Sequence, residues 1–182
     1  MRQTILAIDD EPDMLRLIER IVTSKSPYSL TTTNNSLEVP DLLENNDFDL
    51  IVTDLKMPGM SGLDILKYVK QNKRREKVII ITAFGSYDTV MEALALGVFD
   101  YITKPFKKEE ILFTLDRAMR WQRLEMEMDR VEQICNTEPY SEAERVFKIE
   151  YITRLRERCQ NDRELMTIKS GIPPDQINQI LE

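Results

Sequence analysis

A chain of 182 residues can hold one ordinary domain and a smaller appendage, and 42% hydrophobic with 31% charged residues suits a buried core under a soluble surface. A net charge of −7 argues against non-specific nucleic-acid binding, and no apolar run approaches the roughly 20 residues that span a bilayer. The chain contains no histidine, which excludes His–Asp–Ser catalysis, imidazole ligation of zinc and a phosphohistidine of its own.

Two periods alternate along the first two-thirds. Short β-branched or apolar runs at Thr4–Ile8, Ser29–Thr33, Leu50–Thr53, Val78–Thr82 and Tyr101–Thr103 predict strands. Amphipathic stretches near 12–21, 36–45, 62–72, 86–96 and 107–119 predict the helices between them. Ser61 with Asp64 has the form of a capping box, and Ser86 can cap the helix carrying Val90, Met91 and Leu94. Five strands alternating with five helices imply an α/β domain with a parallel sheet covered on both faces.

The last third reads differently. No turn residue interrupts the fifth helix until Asn136–Pro139, and Trp121, Leu124, Met128, Val131 and Cys135 recur at spacings of three and four, a short coiled-coil-like seam. Ser141 and Glu144 form a second capping-box pattern ahead of a helix carrying Val146, Ile149, Ile152, Leu155 and Cys159. Gly171 stands where a helix ends, before Ile172, Pro173, Pro174 and a last short turn with Ile177, Ile180 and Leu181. The division expected is an α/β domain over 1–120 and an all-α extension over 121–182. Two cysteines far apart make no disulfide framework, and MRQTILAIDDEP turns acidic too soon for a secretory leader, so a cytoplasmic setting is expected.

Ligands of open α/β sheets bind beyond the carboxyl ends of the strands. The first strand ends in Asp9–Asp10, the third in Asp54, the fourth in Thr82, and Lys104–Pro105 follows the fifth. Three carboxylates converging on one rim repel unless a cation joins them, and hard oxygen ligands suit Mg²⁺, with Mn²⁺ a possible substitute. Such a rim suits phosphoryl transfer: Asp54 as the attacking carboxylate, the metal and Lys104 on the equatorial oxygens, Thr82 as hydrogen-bond donor.

The stretches AIDDEPDM, DLIVTDLKMPGMSGLDIL, VIIITAFGS and GVFDYITKPF together resemble the receiver domain of two-component response regulators, over about residues 1–120. The resemblance implies a five-stranded, doubly wound, flavodoxin-like sheet. It implies that Asp54 is the phosphoacceptor, that Asp9, Asp10, Asp54 and the backbone carbonyl of Lys56 hold Mg²⁺, and that Thr82 and Lys104 meet the phosphoryl group. Tyr101 would be the aromatic that turns inward on activation, and the Lys104–Pro105 bond would be cis. The donor would be a sensor histidine kinase or a phosphotransfer protein. Beyond phosphorylation and dephosphorylation of its own Asp54, no enzymatic turnover is expected. The phrase ITAFGSYDTVMEALALGVFDYITKPF looks most like receivers that precede enhancer-binding ATPase domains, although no GxxxxGKS/T follows within the chain.

For the output, the expectation is phosphorylation-dependent protein–protein interaction with a downstream partner through the helical extension, including a homodimer through 121–135. An intramolecular alternative has Val146, Ile149 and Ile152 covering the seam. The alternative outputs are a DNA-binding tail or a phosphorelay carrier. From Trp121 onward 9 basic residues stand against 13 acidic ones, a balance that weighs against DNA.

Overall fold

The computed structural model describes residues 3–83, 85–137 and 140–181. Its sheet has strands β1 (Thr4–Ile8), β2 (Ser29–Thr33), β3 (Leu50–Thr53), β4 (Lys77–Thr82) and β5 (Asp100–Thr103). Helices α1 (Pro12–Lys25), α2 (Val39–Asn45), α3 (Gly62–Gln71), α4 (Tyr87–Leu96) and α5 (Lys108–Thr137) alternate with them. The order is β2-β1-β3-β4-β5 and all four pairings are parallel. This is the flavodoxin-type order, in which the chain reverses direction across the sheet beside β1 and opens a crevice at the strand ends.

Successive residues of a strand face opposite sides, so an apolar strand must be covered twice. Ile5, Ala7, Leu50, Val52, Ile79 and Ile81 meet Leu15, Ile18 and Val22 of α1 and Ile111, Leu115 and Ala118 of α5. Their neighbours Leu6, Ile8, Ile51, Val78 and Ile80 meet Val39 and Leu43 of α2, Ile65 and Leu66 of α3 and Ala93 of α4. Fully burying each large aliphatic side chain contributes about 1.5–3 kcal/mol, which is what holds the strands in register.

Local signals set the helix ends. The Ser61 hydroxyl accepts from the Asp64 amide at 3.2 Å, and the Asp64 carboxylate accepts from the Ser61 amide at 3.0 Å, a complete capping box. Ser86 and Thr89 repeat the device on α4, which ends at Gly97 with φ +84°. The stretch expected as one helix over 36–45 is a 3₁₀ turn at Ser36–Glu38 followed by α2. Pro40 has no amide hydrogen to donate back into the turn, which favours a fresh helix start at Val39. Hydrogen bonds from Ser61 hold the Asp64 carboxyl below the usual 3.8, so its stabilisation is complete above that value and is lost as pH falls through the depressed one. Ser61→Ala is expected to cost about 1 kcal/mol at neutral pH, and less in acid, by urea denaturation.

The chain divides into two compact units, Met1–Leu124 and Glu125–Glu182. In the second, α6 (Tyr140–Arg158), α7 (Arg163–Ser170) and α8 (Pro174–Leu181) surround a small core of Ile152, Leu155, Cys159, Met166 and Ile177. The Ser141 side chain, expected to cap α6, lies outside the described ones. Gly171 ends α7 with φ +70°, as its position implied.

The seam is only partly visible. Trp121, Leu124 and Met128 are 54%, 55% and 71% exposed, while the side chains of Val131, Cys135 and Val146 lie outside the described residues. Ile152, expected to cover the seam in the intramolecular alternative, is buried in the core of the second unit. Helices α5 and α6 are linked there by charges: Arg130 to Glu150 at 3.0 Å and Arg154 to Glu127 at 3.3 Å. Among the described residues, no helix is long and apolar enough to cross a membrane.

Candidate phosphoacceptor site

The carboxyl ends of β1 and β3 are adjacent, since Ile8 pairs with Thr53, and each chain leaves the sheet with an aspartate. Asp9 is 2% exposed and Asp54 7%. Lys104, in the loop after β5, reaches across to both: its Nζ donates to Asp9 Oδ2 at 3.0 Å and to Asp54 Oδ1 at 3.1 Å. The Lys104–Pro105 bond is cis. The Lys104 amide donates to the Thr82 carbonyl at 2.8 Å, tying its loop to the end of β4.

Backbone donors fix the remaining carboxylate oxygens. The Lys56 amide donates to Asp54 Oδ2 at 2.7 Å and the Glu11 amide to Asp9 Oδ1 at 2.9 Å. Burial raises the Asp9 carboxyl above its usual value, against the opposing pull of the Glu11 amide and Lys104. Burial also opposes the charge on Lys104, but its bonds to Asp9 and Asp54 outweigh this and its pKa is raised.

Of the residues expected at the rim, Asp9, Asp54 and Lys104 are joined directly. Thr82 is fully buried at the end of β4 beside them in the sheet order. Asp10 follows Asp9 but is exposed, and among the described residues no three acidic or sulfur side chains are gathered closely enough to hold a metal ion by themselves. The donor chemistry nevertheless fits a hard divalent cation. Two buried carboxylates share one ammonium, a net negative site, and Mg²⁺ takes one or two carboxylates with the rest of its shell from water and phosphate. Tyr101 is half-buried against the α3 and α4 side, and its shielded hydroxyl has no hydrogen-bond partner among the described residues. A Cβ on Gly85 would lie 3.1 Å from that oxygen, so the ring stands close over the loop after β4.

Two supporting residues escaped the sequence reading. Ser36, 2% exposed, donates to the Pro58 carbonyl at 2.6 Å and accepts from the Met60 amide at 2.8 Å, clamping the loop that follows Asp54. Gly62 lies so close that a Cβ would meet the Asp54 carbonyl oxygen at 2.5 Å. Neither is a charged group at a strand end, and only a serine and a glycine flanking the MPGMSG turn signalled them.

Comparison with known proteins places the chain in a family. The response regulator receiver domain model matches residues 5–116. The response regulator protein PilR of Pseudomonas aeruginosa is 37% identical over 126 residues, 69% of this chain and 28% of that protein. The sporulation initiation phosphotransferase F of Bacillus subtilis is 35% identical over 111 residues, 61% of this chain and 89% of that protein. The crystal structure of the signal receiver domain of a Vibrio parahaemolyticus LuxO repressor protein superposes with a TM-score of 0.67 at 27% identity, covering 70% of this chain and 98% of that one. The matched stretch thus spans less than a third of PilR. The fold, the strand-end aspartates and the matched family model agree: the chain belongs to the response regulator receiver family of two-component systems.

Proposed function

We propose that the chain accepts a phosphoryl group from a partner's phosphohistidine onto Asp54 and signals through phosphorylation-dependent protein–protein interaction. The observation that carries this reading is the Lys104 ammonium held between the Asp9 and Asp54 carboxylates. The Lys56 amide fixes the rotation of the Asp54 carboxylate, so that it faces an incoming phosphorus in one orientation. As an Asp54 oxygen bonds to phosphorus, the P–N bond to the partner's imidazole breaks and the imidazole leaves with the bonding pair, taking up a proton. Lys104 then balances charge on the transferred group, and the Thr82 hydroxyl donates to one of its oxygens. Asp9, Asp10, Asp54 and the Lys56 carbonyl would hold Mg²⁺, which supplies neutralisation of the phosphoryl oxygens when bound. The protein consumes no other substrate in this scheme.

Incubation with acetyl phosphate and Mg²⁺ is expected to add one phosphoryl group by intact-mass measurement. None should be added with EDTA or in Asp54→Asn. Wild-type labelling of that variant would remove Asp54 from the role.

For the output, the exposed Trp121, Leu124 and Met128 along α5 favour a second copy of the chain as one partner. Light scattering is expected to show a mass increase on phosphorylation, abolished by Leu124→Glu combined with Met128→Glu. An unchanged monomer in both states would refute self-association.

A further inference from the structure

The second unit holds an open cavity of about 600 Å³ among α5, α6 and α7, a size that suits small organic ligands. We propose that it binds a small aromatic anion, a planar ring bearing a phosphate or a carboxylate, with the ring on Phe147 and Tyr151 and the anionic group at Arg158 and Lys169. This goes beyond the receiver chemistry and rests on residues of the unit Glu125–Glu182 alone.

Two rows of α6 build the cavity, because residues four apart stand one above the other on a helix. One row is apolar: Phe147, Tyr151 and Leu155. Leu155 belongs to the small core of the unit, whereas Phe147 and Tyr151 are exposed. Their rings stack with centroids 6.3 Å apart and planes 21° from parallel. Two nearly parallel rings with uncovered surface form a platform to which a third can add by offset or edge contact.

The other row is charged: Glu150, Arg154 and Arg158. Glu150 pairs with Arg154 at 2.8 Å and with Arg130 of α5 at 3.0 Å, and Arg154 also reaches Glu127 at 3.3 Å. Both acids of the cavity are thus matched by two of its cations. Arg158 and Lys169, the latter from α7, are the remaining two. Both are exposed, and neither side chain has an ion-pair or hydrogen-bond partner among the described residues.

This surplus runs against the charge of the unit as a whole. Glu125–Glu182 carries 8 basic and 13 acidic residues, yet the cavity gathers four cations and two acids. Arg158 and Lys169 stand in the last turns of α6 and α7, where a cation also complements the helix dipole. The dipole accounts for a charge at each helix end, but not for an uncovered aromatic platform lining the same cavity. A phosphate or carboxylate would satisfy the two cations by charge-assisted hydrogen bonds while its ring covers the platform. Neither half suffices alone: a bare anion leaves the rings wet, and a neutral ring leaves the cations unpaired.

The test is calorimetric titration of the full chain with naphthyl phosphate and, separately, with naphthoate. At least one should bind at a single site with a Kd below about one millimolar, and the tighter of the two identifies the preferred anionic group. Naphthalenemethanol and inorganic phosphate each supply half of the contact and should bind about tenfold more weakly or worse. Arg158→Ala and Lys169→Ala should each weaken the aromatic anion about three- to thirtyfold, since exposure moderates a charged hydrogen bond. Phe147→Leu keeps the bulk, removes the ring and should weaken it about threefold or more. A role confined to the helix dipole would lower thermal stability in the two cation variants and leave binding untouched, which overturns the proposal. Equal affinity for the neutral alcohol or for inorganic phosphate overturns it too, as does the absence of saturable binding by either aromatic acid.

Discussion

Replacing Lys104 with alanine is expected to leave Mg²⁺ binding largely intact, destabilise the metal-free protein and break the link between phosphorylation and association. The ammonium bonds both Asp9 and Asp54, so its removal leaves two buried carboxylates facing each other without a cation. Removing one partner from a buried ion cluster costs several kcal/mol, reduced here because the Lys104 side chain retains 15% exposure at the rim. A loss of about 1–3 kcal/mol in urea is expected with EDTA, and Mg²⁺ should restore more stability to this variant than it adds to wild type. Asp10→Ala should show the reverse pattern, with Mg²⁺ affinity weakened by about tenfold or more in calorimetric titration. Equal loss of Mg²⁺ affinity in the two variants would show that Lys104 and the carboxylates do not divide the work in this way.

Gly62→Ala is the second large effect. The added methyl would sit 2.5 Å from the Asp54 carbonyl oxygen and 3.2 Å from the Leu55 Cα, both backbone atoms that cannot swing aside as a side chain can. The Gly62 amide also donates to the Leu55 carbonyl at 3.0 Å, so loop and helix cannot separate without breaking that bond. Overpacking of this kind costs about 1–3 kcal/mol, and here the strain falls on the residue carrying the phosphoacceptor. The variant should therefore label more slowly with acetyl phosphate even at temperatures where circular dichroism shows it folded. Wild-type labelling with wild-type stability would mean that the loop yields freely.

The strands were legible because a parallel sheet buried on both faces demands unbroken apolar runs, and Ile79, Ile80 and Ile81 satisfy that demand as few other segments do. The rim followed from reading off strand ends, and it placed Asp9, Asp54 and Lys104 together. What sequence could not convey was the exposure of Asp10 next to buried Asp9, since both are acids at one strand end and only the path of the chain separates them. The 3₁₀ turn at Ser36–Glu38 was hidden for a similar reason, because three residues carry too little periodicity to distinguish it from the α2 that follows. In the tail, helix ends at Gly171 and Pro174 were readable from their special backbones.

The Ser36 clamp gives the rim mechanical handedness. On the α2 side, the loop after Asp54 is tethered by two hydrogen bonds to one buried hydroxyl, and a Cβ on Gly59 would lie only 2.8 Å from Leu37 Cγ. On the β5 side, Tyr101 holds a shielded hydroxyl with no partner among the described residues, so that its ring gives up little by moving. A load applied at Asp54 meets a stiff wall in one direction and a compliant one in the other. Displacement on phosphorylation is therefore expected to run toward β4, β5 and the start of α5, with the α2 edge as the anvil against which the site pushes.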